Sequence, residues 1–98
     1  MRPLDKRTFI SKGMKWKIHK VKEESPTLKD YSGRTDVDSL SIYIPNDCLP
    51  EIQWQILSHE IFHVIAQGFH ELELTEEWGV SAASGELMSI LRQLGILE

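Results

Sequence analysis

Leu57-Ser58-His59-Glu60-Ile61-Phe62-His63-Val64-Ile65 is the stretch on which the fold turns. Apolar residues surround a His-Glu-x-x-His core, and their spacing predicts a helix over about 50–66. On a helix, positions i and i+4 share a face one turn apart. His59 and His63 can therefore each offer a ring nitrogen to one metal ion. Glu60, next in the chain, can reach the edge of the same site and take a proton from a water bound there.

Around this motif, Ile52, Ile56, His59 and His63 follow 4-3-4 spacing and are expected to form one inward stripe. Leu57, Ile61, Val64 and Ile65 add apolar surface beside it, so the helix is expected to be buried nearly all round. Two imidazoles and a carboxylate in such a helix need partners, because unpaired buried polar groups are costly. A metal supplies one. The plain alternative is a helix with two satisfied core histidines and a solvent-facing Glu60.

Pro50 suits a first helical turn, where its missing N–H costs nothing. Asn46, Asp47 and Cys48 are all candidates for the cap. Gly68 is a natural stop. A last helix is expected over about 75–94, with Thr75 as N-cap, Glu76 and Glu77 against the positive end of the helix dipole, and Gly95 as stop. Its apolar face reads Val80, Ala83, Leu87, Ile90, Leu91 and Leu94.

A tetrahedral catalytic site needs a third protein ligand. Glu76 and Glu77 are the candidates that open the next helix, and helical geometry slightly favours Glu76. Both could equally serve only to complement the dipole. His70 is a further candidate, but it falls out of register with the metzincin pattern, since Ala66 and Phe69 stand where that pattern needs glycine and histidine, and it reads more as a loop histidine.

Upstream, Met14 to Val21 alternates and reads as a half-buried strand with Trp16 and Ile18 inward. Ser39 to Ile44 reads as a second strand, with Leu40, Ile42 and Ile44 on one face. Residues 23–38 read mostly as loop, and 1–13 as an irregular basic arm. Trp54 is expected in the core, Trp78 partly packed, and Cys48 as a small buried residue without a base partner.

The chain has 98 residues, 41% hydrophobic and 27% charged, which fits one globular domain spanning 1–98. One cysteine precludes an internal disulfide framework, and no apolar run is long enough to cross a membrane. The expectation is a cytoplasmic protein. Residues 1–22 carry eight basic side chains against Asp5, while 23–98 carry three basic and fourteen acidic ones. Such an arm can rest on its own acidic body. Without interleaved aromatics, nucleic acid is not among the expected partners.

From about Ser32 to Leu91 the chain resembles small phage- and prophage-encoded HExxH proteins related to the ImmA/IrrE-like metallopeptidases. The residues that carry this are Ser32-Gly33-Arg34-Thr35-Asp36 leading into Ser41-Ile42-Tyr43-Ile44, the motif itself, and Leu74-Thr75-Glu76-Glu77 followed by Val80, Ala83, Ser84, Leu87 and Leu91. Only the His-Glu-x-x-His element is specific.

The resemblance implies zinc on His59 and His63, Glu60 as general base, and Glu77 rather than Glu76 as the glutamate ligand. It also implies a peptide or protein substrate, held in extended form along an edge strand, for which strand 39–44 is the candidate. No side chain stands out as oxyanion donor; Tyr43 and His70 are the ones considered. The expected architecture is α+β, minimal and gluzincin-like. A small antiparallel sheet packs on the motif helix and the C-terminal helix.

Overall fold

The computed structural model describes residues 6–22, 24–28, 32–66 and 77–95, without the side chains of 77–81. It is an α+β fold. The strands are β1 (Thr8–Ser11), β2 (Met14–Val21), β3 (Arg34–Asp36) and β4 (Ser41–Pro45), and the helices are α1 (Pro50–Ala66) and α2 (Glu77–Gln93). The expected pair of helices and the two expected strands are present. The basic arm is not irregular throughout, because residues 8–11 form β1.

Lys12 and Gly13 both adopt positive φ, 53° and 76°. That is the backbone of a two-residue hairpin whose twist matches its strands. Ser11 pairs with Met14, and Phe9 lies opposite Trp16 with the rings stacked 6.4 Å apart.

The strand order is β1-β2-β4-β3. β1 and β3 pair antiparallel with their neighbours, but β2 and β4 run parallel, so the sheet is mixed rather than antiparallel. The cause is β3. Its sequence, Arg34-Thr35-Asp36, has no apolar alternation to announce it, yet it forms a hairpin with β4 and occupies the edge. β4 is left as the partner for β2. The turn over 37–40 closes with Leu40 at φ 50°, a left-handed conformation costing about 1–2 kcal/mol for a non-glycine residue. Packing of the Leu40 side chain against the core offsets that cost.

Alternation along each strand sends Phe9, Trp16, Ile18, Ile42 and Ile44 to one face. They meet Trp54, Leu57, Ile61, Val64 and Ile65 from α1 and Ile90 and Leu94 from α2. Trp16 and Ile18 are inward and Trp54 is in the core, as expected. Ala83 and Leu87 flank the core, and Gly95, at φ 79°, stops α2. Trp78, Val80, Thr75 and Gly68 lie outside the residues whose side chains or backbone are described. Cys48 is half-buried, its thiol 3.8 Å from the Pro45 carbonyl.

Asn46, Asp47 and Cys48 lie just before the cap position. The Leu49 carbonyl accepts from the Gln53 N–H at 3.0 Å, which puts Leu49 at the cap. Gln53, itself buried, donates its side-chain amide to the Pro45 carbonyl at 3.1 Å and ties the end of β4 to the start of the helix.

The free edge of β1 is closed by α2. The Gln93 side-chain oxygen accepts from the Ile10 N–H at 2.7 Å, and its amide donates to the Ile10 carbonyl at 2.8 Å. One side chain thus mimics a neighbouring strand on an edge that would otherwise expose unpaired backbone groups. Gln93→Ala removes both bonds. It is expected to lower stability by about 1–2 kcal/mol in urea unfolding, with the slope unchanged.

Candidate metal centre

α1 lies on the sheet through Gln53, Trp54, Leu57, Glu60, Ile61, Val64 and Ile65. This is not the expected stripe. Ile52, His59 and His63 are exposed and Ile56 is half-buried. Nor is the helix buried all round, since Phe62 is 59% exposed on the same outer side. The physical reason is the choice of face. The apolar run 54-57-61-64-65 fills the space over the sheet without desolvating two imidazoles, and the histidines are left on the open flank.

That flank brings the two rings together. His59 Nε2 and His63 Nε2 lie 3.1 Å apart, with ring centroids separated by 4.8 Å and ring planes nearly perpendicular. Nitrogens bound to one tetrahedral zinc at about 2.0–2.1 Å would lie about 3.3 Å apart, so the pair fits a shared ion with little adjustment. The same distance suits an N–H···N bond between two neutral rings. Ligand atoms of His59, Glu60 and His63 all lie within 4.8 Å of one another.

Glu60 is 5% exposed, not solvent-facing. It points toward the edge strand β3. Thr35, opposite Ile42 in the ladder, shares the helix-facing side of the sheet, and its hydroxyl donates to Glu60 Oε1 at 2.9 Å. This bond holds the carboxyl group beside the rings.

Gly33 makes the approach possible. A Cβ there would lie 2.5 Å from Ile56 Cγ2 and 3.4 Å from Glu60 Oε2, so a larger residue would push the segment off the helix. Between that segment and α1 lies a cleft of about 260 Å³ lined by Ser32, Gln55, Ile56, His59 and Glu60.

No protein-family model, curated protein or solved structure matches this chain.

The site therefore stands on its own geometry. His59, Glu60 and His63, separated only by helical spacing, come together as expected. Glu77 is the first residue of α2, but its side chain lies outside the described residues, and Glu76 and His70 lie outside them altogether. Among the described residues, the metal-capable group consists of the three motif side chains. Thr35 and Gly33 join the site only through tertiary packing against Glu60. A glycine beside a short polar run was the available signal, but nothing local says that this run reaches Glu60, 25 residues away.

Tyr43, considered as an oxyanion donor, is not on this side of the sheet. It alternates with the inward Ile42 and Ile44 and stacks on His19 at 5.0 Å. β4 is also not an edge. It lies between β2 and β3, and the edge strand beside the site is β3.

Proposed function

We propose that this chain is a zinc-dependent metallopeptidase domain of the HExxH type that hydrolyses a peptide bond. The observation that supports this best is the 3.1 Å approach of two imidazole nitrogens beside a buried, hydrogen-bonded carboxylate. Zinc bound there would supply a water acidified toward a pKa of about 7 and a Lewis acid for the scissile carbonyl.

The chain's own groups do the rest. His59 and His63 present neutral nitrogens from one helix turn. Among the described residues, Glu60 is the carboxylate in the cluster, and it takes the proton of the attacking water. It can then return that proton to the leaving amine. Thr35 limits the rotation of the carboxylate by holding Oε1. An extended peptide can pair with the outer edge of β3, which has no strand partner among the described residues, and pass over the cleft at Ser32, Ile56 and His59. We assign the third ligand to Glu77, and we place the protein in the cytoplasm on the strength of its single cysteine. No helix among the described residues is long and apolar enough to cross a membrane.

A second reading has one observation in its favour. Glu60 is buried and bonded to β3, which also suits a metal-stabilised interaction module whose carboxylate only braces the sheet.

Both readings require the ion. After dialysis against zinc and then metal-free buffer, wild-type protein is expected to retain about one zinc per chain, and the His59→Ala/His63→Ala double variant none. The two rings are exposed, so the variant should keep its circular dichroism spectrum. Equal zinc in both proteins would end the assignment.

A further inference from the structure

The sheet has a second face, and its chemistry is opposite to that of the body. Residues 6–22 contain seven lysines and arginines and no acid, in a chain of net charge −4. Strand alternation divides this run, with Lys20 falling in the register of the inward Trp16 and Ile18. With Trp16 and Ile18 inward, Lys15 and Lys17 project from the face away from the helices, and both are exposed.

The ladder places His19 next to Tyr43 and Tyr43 next to Arg34 across three strands. The His19 and Tyr43 rings are half-buried and stack nearly parallel, 20° between planes and 5.0 Å between centroids. Lys17 lies one side-chain step along β2 from that stack, and exposed Arg34 closes its other side. Among the described residues, the acid in these register rows is Asp36, two strands from Lys17 at the far edge.

The connection from β2 to β3 has to cross β4. The short 3-10 turn Pro26–Leu28 touches β4, and Leu28 is buried outside the core that the helices share. With that turn in place His19 and Tyr43 remain half-buried, and over β1 and β2 the outer face exposes Lys15, Lys17 and Ile10, the last 55% exposed.

We propose that this open face binds single-stranded nucleic acid, with Lys15, Lys17 and Arg34 on the phosphates and the His19–Tyr43 stack as a platform for a base. Cations flanking a π surface on an open sheet are what an unpaired strand requires, since phosphates supply the charge and every base has a stacking face. An acidic peptide would satisfy the lysines but leave the rings unused. A duplex would offer phosphates but keep its bases stacked away from them. The surface is independent of the metal centre and lies on the opposite side of the sheet.

The test is fluorescence anisotropy of a labelled oligo-dT of about twenty nucleotides against the full chain, titrated over a range of salt. Binding at low salt is expected, weakening linearly in log salt. Lys15→Gln/Lys17→Gln should lower the salt slope by about 1.4, at about 0.7 per lost phosphate contact on a single strand. His19→Ala should weaken binding about 5-fold or more while leaving the slope in place.

Absence of binding at low salt would overturn the proposal. So would a lysine variant that binds like wild type with an unchanged slope, or equal affinity for a duplex of the same length or for polyglutamate. Self-association at low salt that the lysine variant abolishes, without binding of oligo-dT, would assign the face to a second copy instead.

Discussion

Leu57→Ala is expected to remove about half or more of the stability of the domain. Leu57 is fully buried, one turn before Ile61 and three residues before Glu60, at the centre of the face that α1 lays on the sheet. Truncating a buried leucine to alanine costs about 2–5 kcal/mol, through lost transfer free energy and the cavity left behind. A domain of this size has about 5–15 kcal/mol in total, and small chains sit toward the lower end. The core here is one layer of sheet residues against two helices, with no disulfide to hold it, so little surplus remains. Urea unfolding followed by circular dichroism should show the midpoint falling by half or more. An unchanged midpoint would mean that α1 does not pack through this face. Saturating zinc should recover part of the loss if the ion binds only the folded helix, because ligand linkage adds stability in proportion to the logarithm of its excess.

Leu57 also shows how much of the fold could be read from the sequence. The alternation of β2 and β4 and the apolar runs of α1 and α2 name most of the core, because each pattern reflects burial of one face. What failed was the choice of face on α1. Ile52, Ile56, His59 and His63 and the true face 54-57-61-64-65 are both helical stripes, and only the partner surface decides between them. The sheet's mixed topology was illegible for a related reason. β3 is a three-residue polar strand whose existence depends on pairing with β4, and no local pattern records a pairing made through backbone atoms. β1 was hidden by charge. Its buried residues, Phe9 and Ser11, alternate over only four positions. At the site, the two histidines and Glu60 were legible because the helix itself brings them together. Thr35 and Gly33 were not, because tertiary packing brings them there. The outer face of the sheet repeats the lesson. His19 and Tyr43 are 24 residues apart, so the aromatic partner for the lysines appears only after folding.

Glu60→Gln separates the two readings of the metal centre. Glutamine keeps the length and shape of the side chain and leaves an oxygen to accept the Thr35 hydroxyl, so the 2.9 Å bond and the packing against Gly33 should survive. The histidine nitrogens are untouched, so zinc content should equal that of wild type. The change removes the group that, among the described residues of the cluster, can take up a proton from the attacking water. Loss of a positioned general base lowers turnover by about 10²–10⁴-fold. With zinc-loaded wild type cleaving a quenched-fluorescent peptide library, the variant is expected to fall by that factor with its zinc and its melting temperature unchanged. The combination matters more than any one value. Turnover that persists in Glu60→Gln would remove the carboxylate from the chemistry. A wild type that holds stoichiometric zinc, cleaves nothing in the library and matches the variant in stability would make Glu60 a brace between α1 and β3. That outcome would favour the interaction module. If Glu60→Gln instead lost zinc along with turnover, the carboxylate would be a ligand rather than a base, and the geometry that holds all three donor groups within 4.8 Å would have to be read that way.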